Sequence, residues 1–321
     1  MRFQLGIQVL IIICLGTSRH RLVAQTADFP RDTSYTLYSS YKHLLKRHTQ
    51  VTPIHESLPK GVGEKRNVVY AKLGERELHL DIFSPAKKKR KGCPAILMIH
   101  GGGWSSGSKE MEVPMAQQLA ARGYVTIPVE YRLSPEAIFP AAVYDLKAAV
   151  RWIRAHAAEY GINPKKIAVY GCSAGAQLAA LIAATNGLKS MEGDEGYAEF
   201  SSEVQAVLSI DGIVSFVHPE ADAEGKAASK WLDGSRTENW TNWKAASALE
   251  YANEHIPPFL FVNSAAPRFH AGRDDMIKIL TKAGTYYEVH EIPDSPHSFW
   301  TVHPWFEETF TYSTDFLKKV F

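Results

Sequence analysis

The sequence predicts an α/β fold, in which a mainly parallel sheet carries helices on both faces. From about residue 67 to the C-terminus, short apolar segments typical of strands alternate with segments of helical periodicity. Some strand segments, such as residues 95–99, are apolar at every position, which is typical of strands buried on both faces. The chain has 321 residues, 45% of them apolar, which is enough for one large domain.

The first 24 residues have the features of a secretory signal peptide. Met1 and Arg2 precede an apolar run over residues 5–15 that is too short to cross a bilayer, and Ala24 is followed by a polar stretch. We therefore expect cleavage near Ala24, a secreted or periplasmic bacterial protein, and no membrane attachment after cleavage.

Residues 25–62 are predicted to form an N-terminal extension that packs on the main body, which comprises residues 63–321. A set of aromatic and leucine residues in the extension has near-helical spacing and predicts a short helix, namely Tyr35, Tyr38, Tyr41, Leu44 and Leu45. Residues 67–83 alternate between apolar and polar side chains around a central glycine. This pattern predicts an antiparallel hairpin at one edge of the sheet.

The remaining elements follow in the order expected of strands and covering helices. Further strands are predicted at residues 95–99, 124–129, 166–170, 204–210, 258–262 and 286–292. Helices are predicted at about 110–122, from 140 to a stop at 161–164, from 174 to about 186, and at 274–283 and 307–320. An insertion rich in tryptophan, at about residues 216–255, is predicted to be irregular.

Charge and cysteine content argue against several classes of function. The net charge of +2 gives no reason to expect a nucleic-acid partner, and the basic run at 87–91 is predicted to be a solvated loop. The cysteines beyond the signal peptide, Cys93 and Cys172, are predicted to be buried thiols. The chain has no zinc-type spacing and no Walker or dinucleotide loop, so we expect no metal and no cofactor.

A G-x-S-x-G motif lies at Gly171-Cys-Ser-Ala-Gly175, between a predicted strand and an alanine-rich helix. Glycines at both ends of the motif allow a sharp turn from strand to helix, which exposes the serine hydroxyl at its tip. Parallel sheets collect functional residues at the carboxyl ends of their strands, where this motif lies. Ser173 is therefore predicted to be a nucleophile.

The three glycines at residues 101–103 follow another predicted buried strand. Without side chains to obstruct them, the backbone N–H groups of Gly102 and Gly103, together with that of Ala174, can form an oxyanion hole. His100, directly before the glycines, is predicted to shape this loop rather than to transfer protons. Acyl transfer also needs a base, and His297, 124 residues beyond Ser173 and after the last predicted strand, is the candidate.

The segments 100–104, 130–136 and 171–175 together resemble the hormone-sensitive-lipase and feruloyl-esterase-like branch of the α/β-hydrolases. Residues 267–275 and 292–297 are further similar to secreted bacterial esterases that act on plant polysaccharides, including pectin and xylan. The resemblance covers residues 67 to the C-terminus. It implies an eight-stranded α/β-hydrolase fold, a Ser-His-acid mechanism through an acyl-enzyme, and no cofactor.

The acid of the expected triad departs from the family pattern. Where these families carry it, shortly after the seventh strand, this chain has Pro267, which cannot orient an imidazole. Asp211, at the end of the predicted sixth strand, is our first choice, and Asp275 or Asp274 is the alternative. Asp294 is close to His297 in sequence but is expected to serve loop hydrogen bonding.

Two further groups of residues are candidates for substrate binding. The loop around Pro267 contains Arg268, His270 and Arg273. These side chains could bind a uronate carboxylate, or they could anchor the loop to the rest of the fold. Tryptophans could stack on sugar rings or pack in the core, and they are Trp104, Trp231, Trp240, Trp243 and Trp300. By family resemblance, Arg132 and Asp145 form a structural pair.

These observations predict a secreted serine carboxylesterase. The expected substrate is an ester group, acetyl, methyl or feruloyl, on a plant cell-wall polysaccharide or oligosaccharide. A general esterase or amidase acting on small molecules is the alternative enzyme, and a non-catalytic binding protein on the same fold is the alternative from another class.

Overall fold

The structure is a computed structural model that describes residues 29–87 and 89–321. The predicted signal peptide lies outside the described residues. Strands in the described part of the chain are β1 (Thr52–Pro53), β2 (Val62–Leu73), β3 (Arg76–Pro85), β4 (Cys93–Ile99), β5 (Val125–Val129), β6 (Ile162–Cys172), β7 (Ala206–Ile210), β8 (Phe259–Asn263), β9 (Tyr287–Glu291) and β10 (Val302–His303).

Eight of these strands form one sheet in the order β2-β3-β5-β4-β6-β7-β8-β9. The β2–β3 and β3–β5 pairs are antiparallel, whereas every other neighbouring pair is parallel. The predicted fold class, an α/β-hydrolase sheet of eight strands with an antiparallel hairpin at one edge, is confirmed. The short strands β1 and β10 form a separate antiparallel pair that joins the N-terminal extension to the C-terminal part of the chain.

Helices cover both faces of the sheet. In chain order they are α1 (Leu37–Leu44), α2 (Val113–Ala121), α3 (Ala141–Ala155), α4 (Ala157–Tyr160), α5 (Ala174–Ala184), α6 (Gly225–Trp231), α7 (Trp240–Ala245), α8 (Arg273–Ala283) and α9 (Trp305–Val320). Strand residues alternate between two cores, as their period of two requires. Thus Leu97 of β4 packs in the core with α3 and α5, and Met98 packs in the core with α2 and α9.

The insertion after β7 is more helical than its sequence suggests. It contains α6 and α7 together with two 3-10 helices, Pro219–Glu224 and Ala248–Tyr251. The side chain of Asn239 caps α7 by accepting a hydrogen bond from the N–H of Asn242. Burial of Trp231 and Trp243 against the main body stabilises these short helices, which lack the length to be stable alone.

The segment of the predicted N-terminal extension contacts the main body through α1. Thr36 begins α1 with a capping box to Ser39, and Leu44 at its end is buried in the core of α2 and α9. Both Cys93 and Cys172 are buried free thiols. Among the described residues, no helix combines the length and the apolar character needed to cross a bilayer.

Candidate active site

Ser173 lies at the sharp turn between β6 and α5, with φ 54° and ψ −117°. Its N–H donates to the carbonyl of Ile210 at 2.8 Å, which ties the turn to the neighbouring strand. The flanking glycines are needed because a Cβ at Gly171 would lie 2.1 Å from the carbonyl oxygen of Gly175. This strained conformation presents the hydroxyl of Ser173 at the carboxyl end of the sheet.

His297 lies in the loop that follows β9, and its Nε2 is 2.8 Å from Oγ of Ser173. The ring of Phe269 stacks on the imidazole, with 3.6 Å between ring centroids and 9° between planes. Trp300 meets the imidazole edge-on at 5.2 Å. The imidazole is thus held in one orientation by two aromatic side chains and by its hydrogen bonds.

Asp211 holds the other nitrogen of this imidazole, with 2.6 Å between its Oδ2 and Nδ1 of His297. Its second oxygen accepts a hydrogen bond from the N–H of Ser264 at 2.8 Å, and the carboxylate is fully buried. A carboxylate acceptor requires that Nδ1 carries the proton, which leaves Nε2 free to accept one from Ser173. The structure therefore brings Ser173, His297 and Asp211 into one hydrogen-bonded chain.

The alternative acids lie elsewhere. Asp274 pairs with Arg273 at 2.9 Å, and Asp275 pairs with Lys278 at 2.6 Å. Both stand in the first turn of α8, where a carboxylate interacts favourably with the helix dipole. Neither contacts His297 among the described hydrogen bonds.

The glycine loop after β4 approaches the nucleophile closely. A Cβ added to Gly101 would lie 3.2 Å from Cβ of Ser173, and one added to Gly102 would lie 2.1 Å from the carbonyl oxygen of Ser106. Gly102 and Gly103 have φ of 119° and 59°, a region that favours glycine. The carbonyl of Gly102 accepts the N–H of Ser106 at 3.0 Å, which fixes the loop.

His100 shapes this loop from beneath. Its Nδ1–H donates to the carbonyl of Gly101 at 2.7 Å, and its ring stacks on Tyr131 with 4.5 Å between centroids. Burial lowers the pKa of His100 to about 4, so the imidazole is neutral at neutral pH. It is well placed to support the loop and, being fully buried, has no access to a substrate.

Ser173 and His297 open into a cavity of about 480 Å³. Two aromatic residues, Trp104 and Phe269, form part of its wall, and Gly102 and Gly103 lie beside the serine. The N-terminal extension supplies another wall, with Tyr35, Ser39, Ser40, His43 and Leu44. The sequence contains no motif that places these residues at the site, since more than 120 positions separate them from Ser173.

The extension also hydrogen-bonds to both loops that carry the site. The hydroxyl of Tyr35 lies 2.8 Å from Oγ of Ser298, next to His297, and Oγ of Ser40 lies 2.7 Å from Oγ1 of Thr301. The N–H of Gly107, just beyond the glycine loop, donates to the carbonyl of Asp32 at 3.0 Å. Burial raises the pKa of Tyr35, which keeps its hydroxyl protonated.

Only one of the three cationic candidates for substrate binding reaches the cavity. Arg268 lines it, with its guanidinium 4.3 Å from the centroid of the Phe269 ring. His270 lies 3.1 Å from the carbonyl of Ser264, and Arg273 donates to the side chain of Asn263 at 3.1 Å. These two side chains anchor the loop after β8, which was the other interpretation of this group.

Most of the tryptophan candidates are packing residues. Trp104, Trp231, Trp243 and Trp300 are buried, whereas Trp240 is 51% exposed and lies outside the cavity lining. Trp104 stacks on Trp231 and donates its Nε1–H to Gln177 at 2.9 Å. Of the five, only Trp104 lines the cavity, so the others are not positioned to stack on a sugar there.

The predicted structural pair is present as well. Arg132 contacts Asp145 at 2.6 Å, and the buried carboxylate also accepts the backbone N–H of Arg132. Among the described residues, no group of three His, Cys, Asp or Glu side chains is arranged to hold a metal ion.

The family profile of BD-FAE matches residues 80–271, more than half of the chain. The chain belongs to the BD-FAE family. This match contains Ser173 and Asp211, whereas His297 lies beyond it. The family assignment agrees with the α/β-hydrolase branch that the glycine loop and the serine motif resemble.

Similar proteins are esterases. The "Probable carboxylic ester hydrolase LipM" of Mycobacterium tuberculosis is 30% identical over 245 residues, which is 73% of this BD-FAE chain and 56% of that protein. A truncated carbohydrate esterase from gut microbiota superposes with a TM-score of 0.69 at 25% identity, covering 83% of this chain and 99% of the other. Esterase Est2 of Thermogutta terrifontis, bound to propionate, gives 0.66 at 28% identity, covering 81% and 95%.

The chain spans about half the length of the first curated relatives that it matches, 56% of one and 48% of the next. By contrast, the superposition covers 99% of the gut carbohydrate esterase and 95% of Est2.

Proposed function

We propose that this BD-FAE protein is a serine carboxylesterase. The observation that carries the proposal is the hydrogen-bonded chain from Ser173 through His297 to Asp211, with distances of 2.8 and 2.6 Å. A nucleophile, a base and a carboxylate that orients the base are what acyl transfer requires. The esterase names of its relatives support the same activity.

In the proposed acylation step, Oγ of Ser173 attacks the carbonyl carbon of the ester while Nε2 of His297 takes its proton. The carbonyl oxygen becomes an anion, which the N–H groups of Gly102, Gly103 and Ala174 stabilise. His297 then donates the proton to the oxygen of the leaving alcohol, and the alcohol departs. The product is an acyl-enzyme on Ser173.

Deacylation repeats these steps with water in place of the serine. His297 removes a proton from the water, the hydroxide attacks the acyl carbon, and the proton returns to Ser173 as the acid leaves. Asp211 keeps the imidazole in the tautomer that both steps need and stabilises the imidazolium formed in each. The full cycle consumes one ester and one water molecule, releases an alcohol and an acid, and regenerates Ser173.

For the substrate, we propose acetyl, methyl or feruloyl esters on a plant cell-wall polysaccharide or its oligosaccharides. The structural similarity to a carbohydrate esterase from gut microbiota and to a bifunctional GH43-CE protein of Bacteroides eggerthii supports this class. A cavity of about 480 Å³ is large enough for an ester group together with part of a sugar.

Covalent labelling tests the catalytic proposal. A fluorophosphonate probe is expected to label the wild-type protein at Ser173 and to leave Ser173→Ala unlabelled, because the probe reacts with an activated serine. If the folded wild-type protein is not labelled, the protein is a binder on the esterase fold.

A substrate panel distinguishes a polysaccharide esterase from a general esterase. The general esterase is the alternative function, and the relatives whose names say only "esterase" favour it. The panel contains acetylated xylan, methylated pectin, a feruloylated oligosaccharide and p-nitrophenyl acetate. We expect the highest kcat/KM on one of the three glycan esters. A strong preference for p-nitrophenyl acetate would instead identify a general esterase.

We propose export as well, on the apolar run at residues 5–15 and the polar stretch after Ala24. Mass spectrometry of the protein recovered from the periplasm or the culture medium should give a mature N-terminus near Gln25. Recovery of the protein with residues 1–24 attached would contradict this proposal.

A further inference from the structure

A second cavity, of about 280 Å³, adjoins the first at the catalytic histidine. It is lined by His43, Leu44, Arg47, His48, Pro296, His297 and Ser298. Four of these residues, His43, Leu44, His297 and Ser298, also line the first cavity. A molecule bound at Ser173 can therefore extend past His297 into the second cavity.

The chemistry of the proposed reaction decides which part of the substrate faces this cavity. His297 must donate its proton to the oxygen of the leaving alcohol, so that oxygen lies within hydrogen-bond reach of Nε2. The alcohol portion of the ester is thus on the His297 side of Ser173. The carbonyl oxygen of the ester faces the N–H groups of the glycine loop.

The second cavity carries positive charge and lacks carboxylates. Arg47 is a permanent cation, and the imidazoles of His43 and His48 add hydrogen-bonding groups. Among the described residues that line the two cavities, none is an aspartate or a glutamate. No ion pair joins Arg47 to a described residue, so its charge is available to a bound anion.

A helix-dipole role accounts for only part of this charge. Lys42 and His43 lie in the last turn of α1, where cations stabilise a helix. Arg47 and His48 lie beyond the end of α1, and their N–H groups both bond to the carbonyl of Leu44. This turn places Arg47 in the lining of the second cavity.

We propose that the second cavity is a subsite for a carboxylate on the alcohol portion of the ester, such as that of an acidic sugar residue. Arg47 binds the carboxylate, because a guanidinium matches its planar, bidentate geometry, and the two imidazoles add hydrogen bonds. The inference rests on the proposed esterase activity and narrows its substrates to esters of anionic alcohols.

Two acetate esters that differ in charge test the subsite. In 4-acetoxybenzoate the phenol portion carries a carboxylate, and in 4-acetoxybenzamide it carries a neutral amide. We expect wild-type protein to prefer the carboxylate ester, and Arg47→Gln to raise KM for that ester about three- to fivefold with the amide unaffected. Added salt should reduce the wild-type preference.

Lys46→Gln is the matched control, since Lys46 is also an exposed cation but lies outside both cavity linings. It should retain the wild-type preference, whereas Arg47→Lys should retain part of it. The subsite proposal would be overturned if wild type and Arg47→Gln showed the same preference between the two esters while both proteins still hydrolysed the ester bond of 4-acetoxybenzamide. Failure of the esterase proposal would look different, because neither ester would be hydrolysed and no fluorophosphonate label would appear.

Discussion

Asp211 occupies an unusual backbone conformation, and its surroundings explain how the chain can keep it there. The residue has φ 51°, and its N–H donates to the carbonyl of Val262 while its carboxylate accepts the N–H of Ser264. Both bonds come from β8 and the residue after it, so the neighbouring strand fixes the carboxylate. The loop after β8 contributes Phe269, which stacks on His297, instead of an acid.

Replacement of Asp211 by asparagine should lower kcat by up to about 10⁴, with KM nearly unchanged, because an amide allows the wrong imidazole tautomer. Steady-state kinetics on an acetate ester measure both constants. Asp275→Asn is the control and should leave them near the wild-type values, since Asp275 pairs with Lys278. The reverse result, with Asp275→Asn inactive, would reassign the acid.

At the scale of elements, the N-terminal extension connects the glycine loop with the loop that carries His297, the two loops of the proposed active site. Its contacts run from Asp32 beside the glycine loop to Tyr35 and Ser40 beside the histidine loop, and β1 pairs with β10 beyond them. Ser298 has φ 71°, a conformation that a serine rarely adopts without support. The hydrogen bond between Tyr35 and Ser298 supplies such support one residue after His297.

Loss of this hydrogen bond in Tyr35→Phe should lower kcat about three- to tenfold, because the histidine loop becomes less well fixed. KM should change little, since the phenyl ring still lines the cavity. Tyr38→Phe is the control, as Tyr38 is 68% exposed on the adjacent helix.

A double-mutant cycle shows whether Tyr35 acts through the histidine loop. In a Ser298→Ala background, Tyr35→Phe should cause no further loss of kcat. Additive losses of kcat would mean that Tyr35 affects catalysis by a route other than Ser298, and a lower melting temperature with unchanged kcat would mean that Tyr35 contributes only to stability.

At the scale of the whole molecule, a buried glutamate beneath the site couples stability to pH. Glu112 is 1% exposed, its Oε2 lies 3.8 Å from the thiol of Cys172, and its Oε1 has no hydrogen-bond partner among the described residues. Burial raises its pKa to about 8. The folded protein therefore retains a proton on Glu112 at pH values where the unfolded chain, with a pKa of about 4.3, has lost it.

This contribution to stability is complete below about pH 4 and is lost as the pH rises towards 8, at up to about 1.4 kcal/mol per pH unit. Glu112→Gln removes the titration, so the variant should gain stability relative to wild type between pH 5 and pH 8.5. Urea unfolding at both pH values measures the difference. Parallel pH dependence of the two proteins would show that Glu112 does not titrate in this range.

Local sequence signals predicted the fold and gave candidates for all three proposed catalytic residues, with Asp211 as the first choice among three carboxylates. Strand patterns predicted the eight-stranded sheet, and the motif at Ser173 with the position of His297 after the last strand predicted both side chains. These signals are local because glycine spacing and strand periodicity depend on backbone geometry alone. The helical periodicity around Tyr41 likewise predicted α1, although not where this helix packs on the rest of the fold.

What the sequence by itself determined is the sheet, the elbow and the loops at its carboxyl edge. Only the tertiary structure decided which carboxylate meets His297, because the sequence made Asp211 the first choice but left Asp275 and Asp274 open as alternatives. The tertiary structure also decided that residues of the N-terminal extension line the cavity at Ser173 and that Arg47 lines the second cavity beside it. Such contacts join residues more than 80 positions apart. A local sequence pattern does not predict them, because they depend on how the whole chain packs.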